Sequence, residues 1–229
     1  MTKIFIFGSC RIWDTTNFCT QLNPRTLMHD ISQYIQEIQF YQKIKPLNEQ
    51  LVEYMYYNEY KQKIIEQKEL ALKTQLEKLQ EADIVIAEIC TLKYILVDGT
   101  YYDLQKCASY PRGQFSIKTY DKKTFQQKVR EFIELIPNKK ILFVGHIYDA
   151  NFMTNSKLKV RQVLNSWINE LVDHARTHFF NPSSLLEKFP YKQIMLDTSH
   201  YNKKGKKIVK GELKIFLAKI INHSTNLSV

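Results

Sequence analysis

Cysteine, glycine and proline are all scarce in this chain, at four, six and six among 229 residues. The four cysteines, Cys10, Cys19, Cys90 and Cys107, form no Cys-x-x-Cys pair and have no histidine at zinc-ligand spacing. That excludes a disulfide scaffold and leaves no metal motif, so no metal is expected. The low glycine and proline content excludes collagen-like and low-complexity chains, and 44% hydrophobic residues exclude a disordered one. No apolar run approaches the roughly 20 residues that span a bilayer. The longest, Ile4–Phe7 and Ile215–Ile221, are short, and Lys219 interrupts the second. The N-terminus has no long apolar region and no small-residue cleavage site, so a cytoplasmic protein is expected. A glycine-rich phosphate loop and a His-Glu-x-x-His motif are also missing.

What is present is a length that suits one large domain with a substantial core. Positive charge is in excess, with 33 Lys and Arg against 23 Asp and Glu. It is unevenly placed: residues 1–100 hold 11 basic and 13 acidic residues, and residues 101–229 hold 22 and 10. The densest stretch is Lys203-Lys204-Gly205-Lys206-Lys207. Such a field favours anionic ligands, including phosphates and acidic sugars, although a solvated helix face accounts for the same lysines equally well. Nucleic acid is disfavoured, because the lysines lack interleaved aromatics and no recognition-helix motif is visible.

Residues Lys3–Gly8 read as a buried strand ending in a sharp turn. Helical spacing follows over 30–45, then a long amphipathic segment over 47–81 without glycine or proline. The tyrosines of 54–60 lie on that segment and offer a partner surface or, more commonly for such a face, an aromatic stripe packed on the core. Ala82–Cys90 and Lys140–His146 read as central parallel strands. Residues 91–120 lack clear periodicity, and a loop of that length is often functional, a lid being one role open to it. Asp121 is a plausible cap for a helix reaching Ile136. A further helix is expected from Ser156 to Thr177, a short strand at His178–Phe180, and a last helix from Lys203 to Asn222. Strands alternating with helices predict one α/β domain over 1–229, three layers deep around a mostly parallel sheet with flavodoxin-like layering. Ligands in such sheets sit at the carboxyl ends of the strands.

Ser9 follows the first strand directly, and Asp197 and His200 precede the last helix. A serine hydroxyl becomes a nucleophile when a base takes its proton. Histidine does this best when a carboxylate fixes its tautomer. Folding the last helix against the sheet brings the pair toward Ser9, which supplies the parts of an acyl-transfer site. Weaker candidates for substrate or oxyanion contacts are Cys10, Arg11, Thr91, Lys93 and His146. Glu88, a charge inside an apolar strand, needs a partner such as Arg11, Lys93 or Arg161. His29 reads as a capping or core residue.

Gly8-Ser9-Cys10 after strand one, with Asp197-Thr198-Ser199-His200 before the last helix, resembles the SGNH/GDSL hydrolase superfamily. The stretches Phe5–Arg11, Asp83–Lys93, Lys140–His146, Phe179–Ser183 and Leu196–Gly205 are similar, in order, to a GSC-type branch of it. The resemblance implies Ser9 as nucleophile, His200 as base and Asp197 as its orienting carboxylate. It also implies an oxyanion hole built from the Ser9 N–H, a glycine after strand two and an asparagine after strand three. This chain has Glu88-Ile89-Cys90-Thr91 at the third position, with neither glycine nor asparagine.

The resemblance thus implies a serine-dependent acyl-ester hydrolase working through an acyl-enzyme, on a small-molecule or glycan ester that the basic half would suit if anionic. An O-acyltransferase of glycan biosynthesis, with coenzyme A as acyl donor, stays open beside it. So does an inactive binding module that kept the fold. No other cofactor is expected, and the sequence sets no oligomeric state.

Overall fold

The computed structural model describes residues 1–25, 28–47, 52, 58–102, 116–149 and 156–225. Strands β1 (Lys3–Phe7), β2 (Thr20–Gln21), β3 (Ile84–Ala87), β4 (Lys93–Val97), β5 (Thr100–Tyr102), β6 (Ile117–Thr119), β7 (Lys140–Val144) and β8 (Thr177–Phe180) are interspersed with helices. These are α1 (Cys10–Thr15), α2 (Ile31–Tyr41), α3 (Asn58–Glu81), α4 (Lys122–Leu135), α5 (Ser156–Asn169), α6 (Tyr191–Ile194) and α7 (Lys203–Thr225). Five strands form a parallel sheet in the order β2-β1-β3-β7-β8.

The central strands read as unbroken apolar runs because both faces are covered. Phe5, Phe7, Val85, Ala87, Ile141 and Phe143 point to one face and pack under α2, α3, α4 and α5 through Tyr34, Leu72, Phe132 and Leu164. Ile4, Ile6, Ile84, Ile86, Leu142 and Val144 point to the other and meet Ile12, Trp13, Val209, Leu213 and Leu217 of α1 and α7. The result is the expected three-layer α/β/α arrangement around a parallel sheet. Local signals fix the helix starts. Asp30 and Gln33 form a capping box on α2, and the Asp121 side chain accepts the Thr124 N–H at the start of α4.

Several boundaries differ from the sequence reading. Residues 91–120, expected without regular structure, contain a second, antiparallel sheet ordered β5-β4-β6. Its hairpin turns at Asp98 and Gly99, which have φ of 49° and 75°. Asp-Gly is a strong hairpin signal, one that the sequence reading did not use. Tyr120, after β6, stacks on Tyr94 at 4.3 Å between ring centroids and donates its hydroxyl to Ser32 Oγ at 2.6 Å, docking this sheet on the start of α2. Residues 103–115, which include Cys107, lie outside the described residues.

The helix expected to reach Thr177 ends at Asn169. Beyond it, Asp173 Oδ1 collects the N–H groups of Ala175, Arg176 and Thr177, a side-chain turn that outcompetes helical pairing. Of the long helix expected over 47–81, Val52 and Asn58–Glu81 are described as helical, with a break at Gln67 where φ is −142°. Residues 48–51 and 53–57, with most of the tyrosine cluster, lie outside the described residues.

Candidate active site

Strand β1 lies between β2 and β3, so the connections leaving it part to opposite sides of the sheet. The crevice beyond the carboxyl ends of β1 and β3 is where this topology places ligands. Ser9 follows β1 there, and Glu88 follows β3. A Cβ on Gly8 would lie 2.8 Å from Ile12 Cγ2 and 2.9 Å from Glu88 Cβ. Glycine at this position therefore lets the two strand ends close together.

Ser9 turns both donors onto one carboxylate oxygen. Its N–H reaches Glu88 Oε2 at 3.0 Å and its hydroxyl reaches the same atom at 2.5 Å. Its Oγ also accepts the Arg11 N–H at 3.4 Å, so Ser9 is the N-cap of α1 as well. Arg11 answers from the other side of the carboxylate. Its Nε donates to Glu88 Oε1 at 3.2 Å, its Nη1 to the Ser199 carbonyl at 2.8 Å, and its Nη2 to Cys90 Sγ at 3.7 Å. One guanidinium thus ties the ends of β1 and β3 to the turn that carries His200. Burial works against its charge, and Glu88, helped by Cys90 and Tyr201, outweighs that and raises its pKa.

The second half of the site precedes α7. Asp197 Oδ1 accepts the N–H groups of Ser199 and His200 at 2.5 and 2.8 Å, and Oδ2 meets His200 Nδ1 at 2.8 Å. The His200 ring and these backbone donors hold the Asp197 carboxyl down at about 2. The bond on Nδ1 sets the tautomer in which Nε2 of a neutral ring is the basic nitrogen. A bridge between Met195 and Tyr201 closes the turn, and Gly205 of α7 packs directly on the Ile194 backbone.

A cleft of about 480 Å³ joins the two halves, lined by Ser9, Cys10, Arg11, His29, Cys90, Thr91, Leu92, Lys93, Thr119, Val160, Arg161, Ser199 and His200. Ser9, Cys10, Arg11, Thr91, Lys93 and His200, all singled out in the sequence, therefore open onto one space. Asp197 stands behind His200. Ser9 and His200 share the cleft without a hydrogen bond between them.

His146 is placed differently. It is buried behind Glu88, with Nε2 2.9 Å from the Ile89 carbonyl and Nδ1 3.9 Å from Glu88 Oε1. Burial, then Arg11 and Arg161, push its pKa well below the usual histidine range. The neutral ring donates from Nε2, which leaves Nδ1 as a lone pair without a hydrogen-bond partner, facing the carboxylate.

Oxygen, sulfur and nitrogen atoms of Glu88, Cys90 and His146 lie within 4.8 Å of one another, a donor set the sequence spacing did not announce. Arg11 already contacts two of the three, and burial followed by Glu88 pushes the Cys90 thiol up to about 12. A guanidinium set against both the carboxylate and the sulfur repels a metal cation from the same donors. Glu88 and Cys90 hold the Arg11 cation. A second cleft of about 490 Å³ runs along α3 by Lys63, Glu66, Gln67 and Lys78, with no serine, cysteine or histidine among its lining residues.

The sequence reading missed Glu88 as the partner of Ser9, whose signal was its charge inside an apolar strand, and it assigned no cleft role to Arg161 or His29. Residues 104–214, a little under half the chain, match the model of the TviD N-terminal domain. No curated protein is matched. Among solved structures the chain is similar to a carbohydrate esterase family 3 from Talaromyces cellulolyticus, at 11% identity and TM-score 0.42, covering 97% of this chain and 99% of that one. It is similar to an acetyl esterase mutant with acetate ion, at 11% identity and TM-score 0.43, covering 98% and 100%. A peptidoglycan O-acetylesterase follows at 16% identity and TM-score 0.36, covering 66% and 42%.

Proposed function

We propose that this protein performs serine-dependent acyl-ester chemistry, with Ser9 as nucleophile, His200 as general base and Asp197 as the group that orients it. The observation that carries this reading is the opening of Ser9 and the Asp197-bound His200 onto one cleft at the switch point of the sheet. On substrate binding the Ser9 hydroxyl turns from Glu88 to His200. Oγ attacks the acyl carbon while its proton passes to Nε2, and the carbonyl oxygen takes up the negative charge. Collapse breaks the ester bond, and His200 returns the proton to the departing alcohol. Water then attacks the acyl-enzyme with the same histidine as base, releasing the acid and restoring Ser9. The N–H and O–H donors of Arg11, Thr91 and Lys93 that line the cleft are our assignment for the oxyanion, in place of the missing asparagine.

Hydrolysis of short-chain p-nitrophenyl esters by the wild type and Ser9→Ala tests this. Turnover is expected to fall by about 10⁴-fold or more in the variant. Equal, negligible rates would remove the hydrolase reading. A second reading, transfer of an acyl group from acyl-coenzyme A to a sugar hydroxyl, is supported by the cationic lining of the cleft by Lys93 and Arg161. Release of free coenzyme A from acetyl-coenzyme A only when a glycan acceptor is added would favour it.

A further inference from the structure

Arg161 stands on α5 and lines the same cleft as Ser9, yet only 6% of it is exposed. A guanidinium offers five N–H donors in a planar fork. Among the described residues one of its nitrogens is engaged: Nη1 donates to the Ile147 carbonyl at 3.3 Å. Among the described residues no carboxylate pairs with Arg161, and the neighbouring stretch 150–155 contains no acidic residue. Its strongest charged neighbour is Arg11, whose charge Glu88 already balances. Burying a cation with no paired carboxylate among the described residues is expensive, a cost that a bound anion would remove. Burial and then Arg11 depress its pKa. Lys93 lines the same cleft and has no ion-pair partner among the described residues.

We propose that Arg161 binds an anionic group of the ligand in the substrate cleft, and that the ligand bound beside Ser9 carries a carboxylate or phosphate group which the Arg161 fork grips. This names the substrate class of the proposed ester site and rests on that reading for the role of the ligand, but the binding is separable from catalysis. The two oxygens of a carboxylate or phosphate match the parallel N–H groups of a guanidinium, and the partly water-excluded setting strengthens the pair. Lys93, more exposed, adds attraction without geometry.

Isothermal titration of the full chain with two matched pairs tests this and separates the sources of the anion. D-Galacturonate against D-galactose reports a carboxylate sugar, and coenzyme A against pantetheine reports a phosphate. The wild type is expected to bind the anionic member of at least one pair about tenfold or more tighter than its neutral twin, less so as salt is raised. Arg161→Gln is expected to erase that preference. Arg161→Lys, which keeps the charge and gives up the fork, is expected to lose most of it. An equal affinity for both members of both pairs overturns the proposal, as does a preference that survives in Arg161→Gln. If Arg161→Gln does not fold, as judged by circular dichroism, a full preference in Arg161→Lys overturns it instead. Anion preference without Ser9-dependent turnover would keep this subsite and remove the ester reading. Turnover without anion preference would do the reverse.

Discussion

Glu88 ends an apolar strand with a charge, and the structure gives that charge three donors: the Ser9 N–H, the Ser9 hydroxyl and Arg11 Nε. Removing one member of a buried ion pair strands the other, so Glu88→Ala is expected to cost about 3–5 kcal/mol, read from urea unfolding. His146 supplies a pH dependence of its own. Folded, it stays neutral well below the ordinary value of 6.5, whereas in the unfolded chain it takes a proton near that value. The unfolded state therefore binds more protons below about pH 6.5, and stability falls as pH drops from there toward the depressed folded value. His146→Gln, which can still donate to the Ile89 carbonyl, is expected to flatten that decline in thermal melts at stepped pH. An unchanged slope would contradict it. At this scale Ser9, Asp197 and His200 were legible from their order relative to strands and helices. The partner of Ser9 was not, because it lies 79 residues away and only strand pairing brings it near.

Two glycines in α7 separate the roles of element packing and helix propensity. A Cβ on Gly205 would collide with the backbone of Ile194, which has no flexible side chain to move aside. Gly205→Ala is expected to destabilise by about 1–3 kcal/mol and to lower ester turnover, since α7 then lifts from α6 and carries the Asp197–His200 turn with it. Gly211 is exposed on the same helix, with nothing within 4 Å of an added Cβ. Gly211→Ala is expected to stabilise by about 0.5–1 kcal/mol through helix propensity alone. Thermal unfolding of the two variants side by side reads the difference. Capped, periodic helices such as α2 and α4 were visible in the sequence because their signals are local. The early end of α5 was not, because Asp173 competes for the backbone from beyond the helix. The small sheet in 91–120 escaped because its strands are short and β6 is fully exposed, which leaves little alternation to detect.

At the scale of the whole molecule, the parallel sheet, its order and the uneven charge converge on one place. The switch at β1 brings residue 9 beside residue 88, and Arg11 reaches across to residue 199, so a single guanidinium unites the two ends of the chain. The basic excess of residues 101–229 enters the cleft through Arg161. Arg11→Lys is accordingly expected to reduce ester turnover more than it reduces stability, because one ammonium cannot hold Glu88 and the Ser199 carbonyl in the same fixed fork. Paired kinetic and unfolding measurements would show this, and equal losses in both would contradict it.

The central claim is that Ser9 is a nucleophile activated by His200, and labelling with a fluorophosphonate tests it most directly. One covalent adduct is expected on the peptide that contains Ser9, absent in Ser9→Ala and strongly slowed in His200→Ala. Folded wild-type protein that stays unlabelled, or an adduct on another residue, would contradict it.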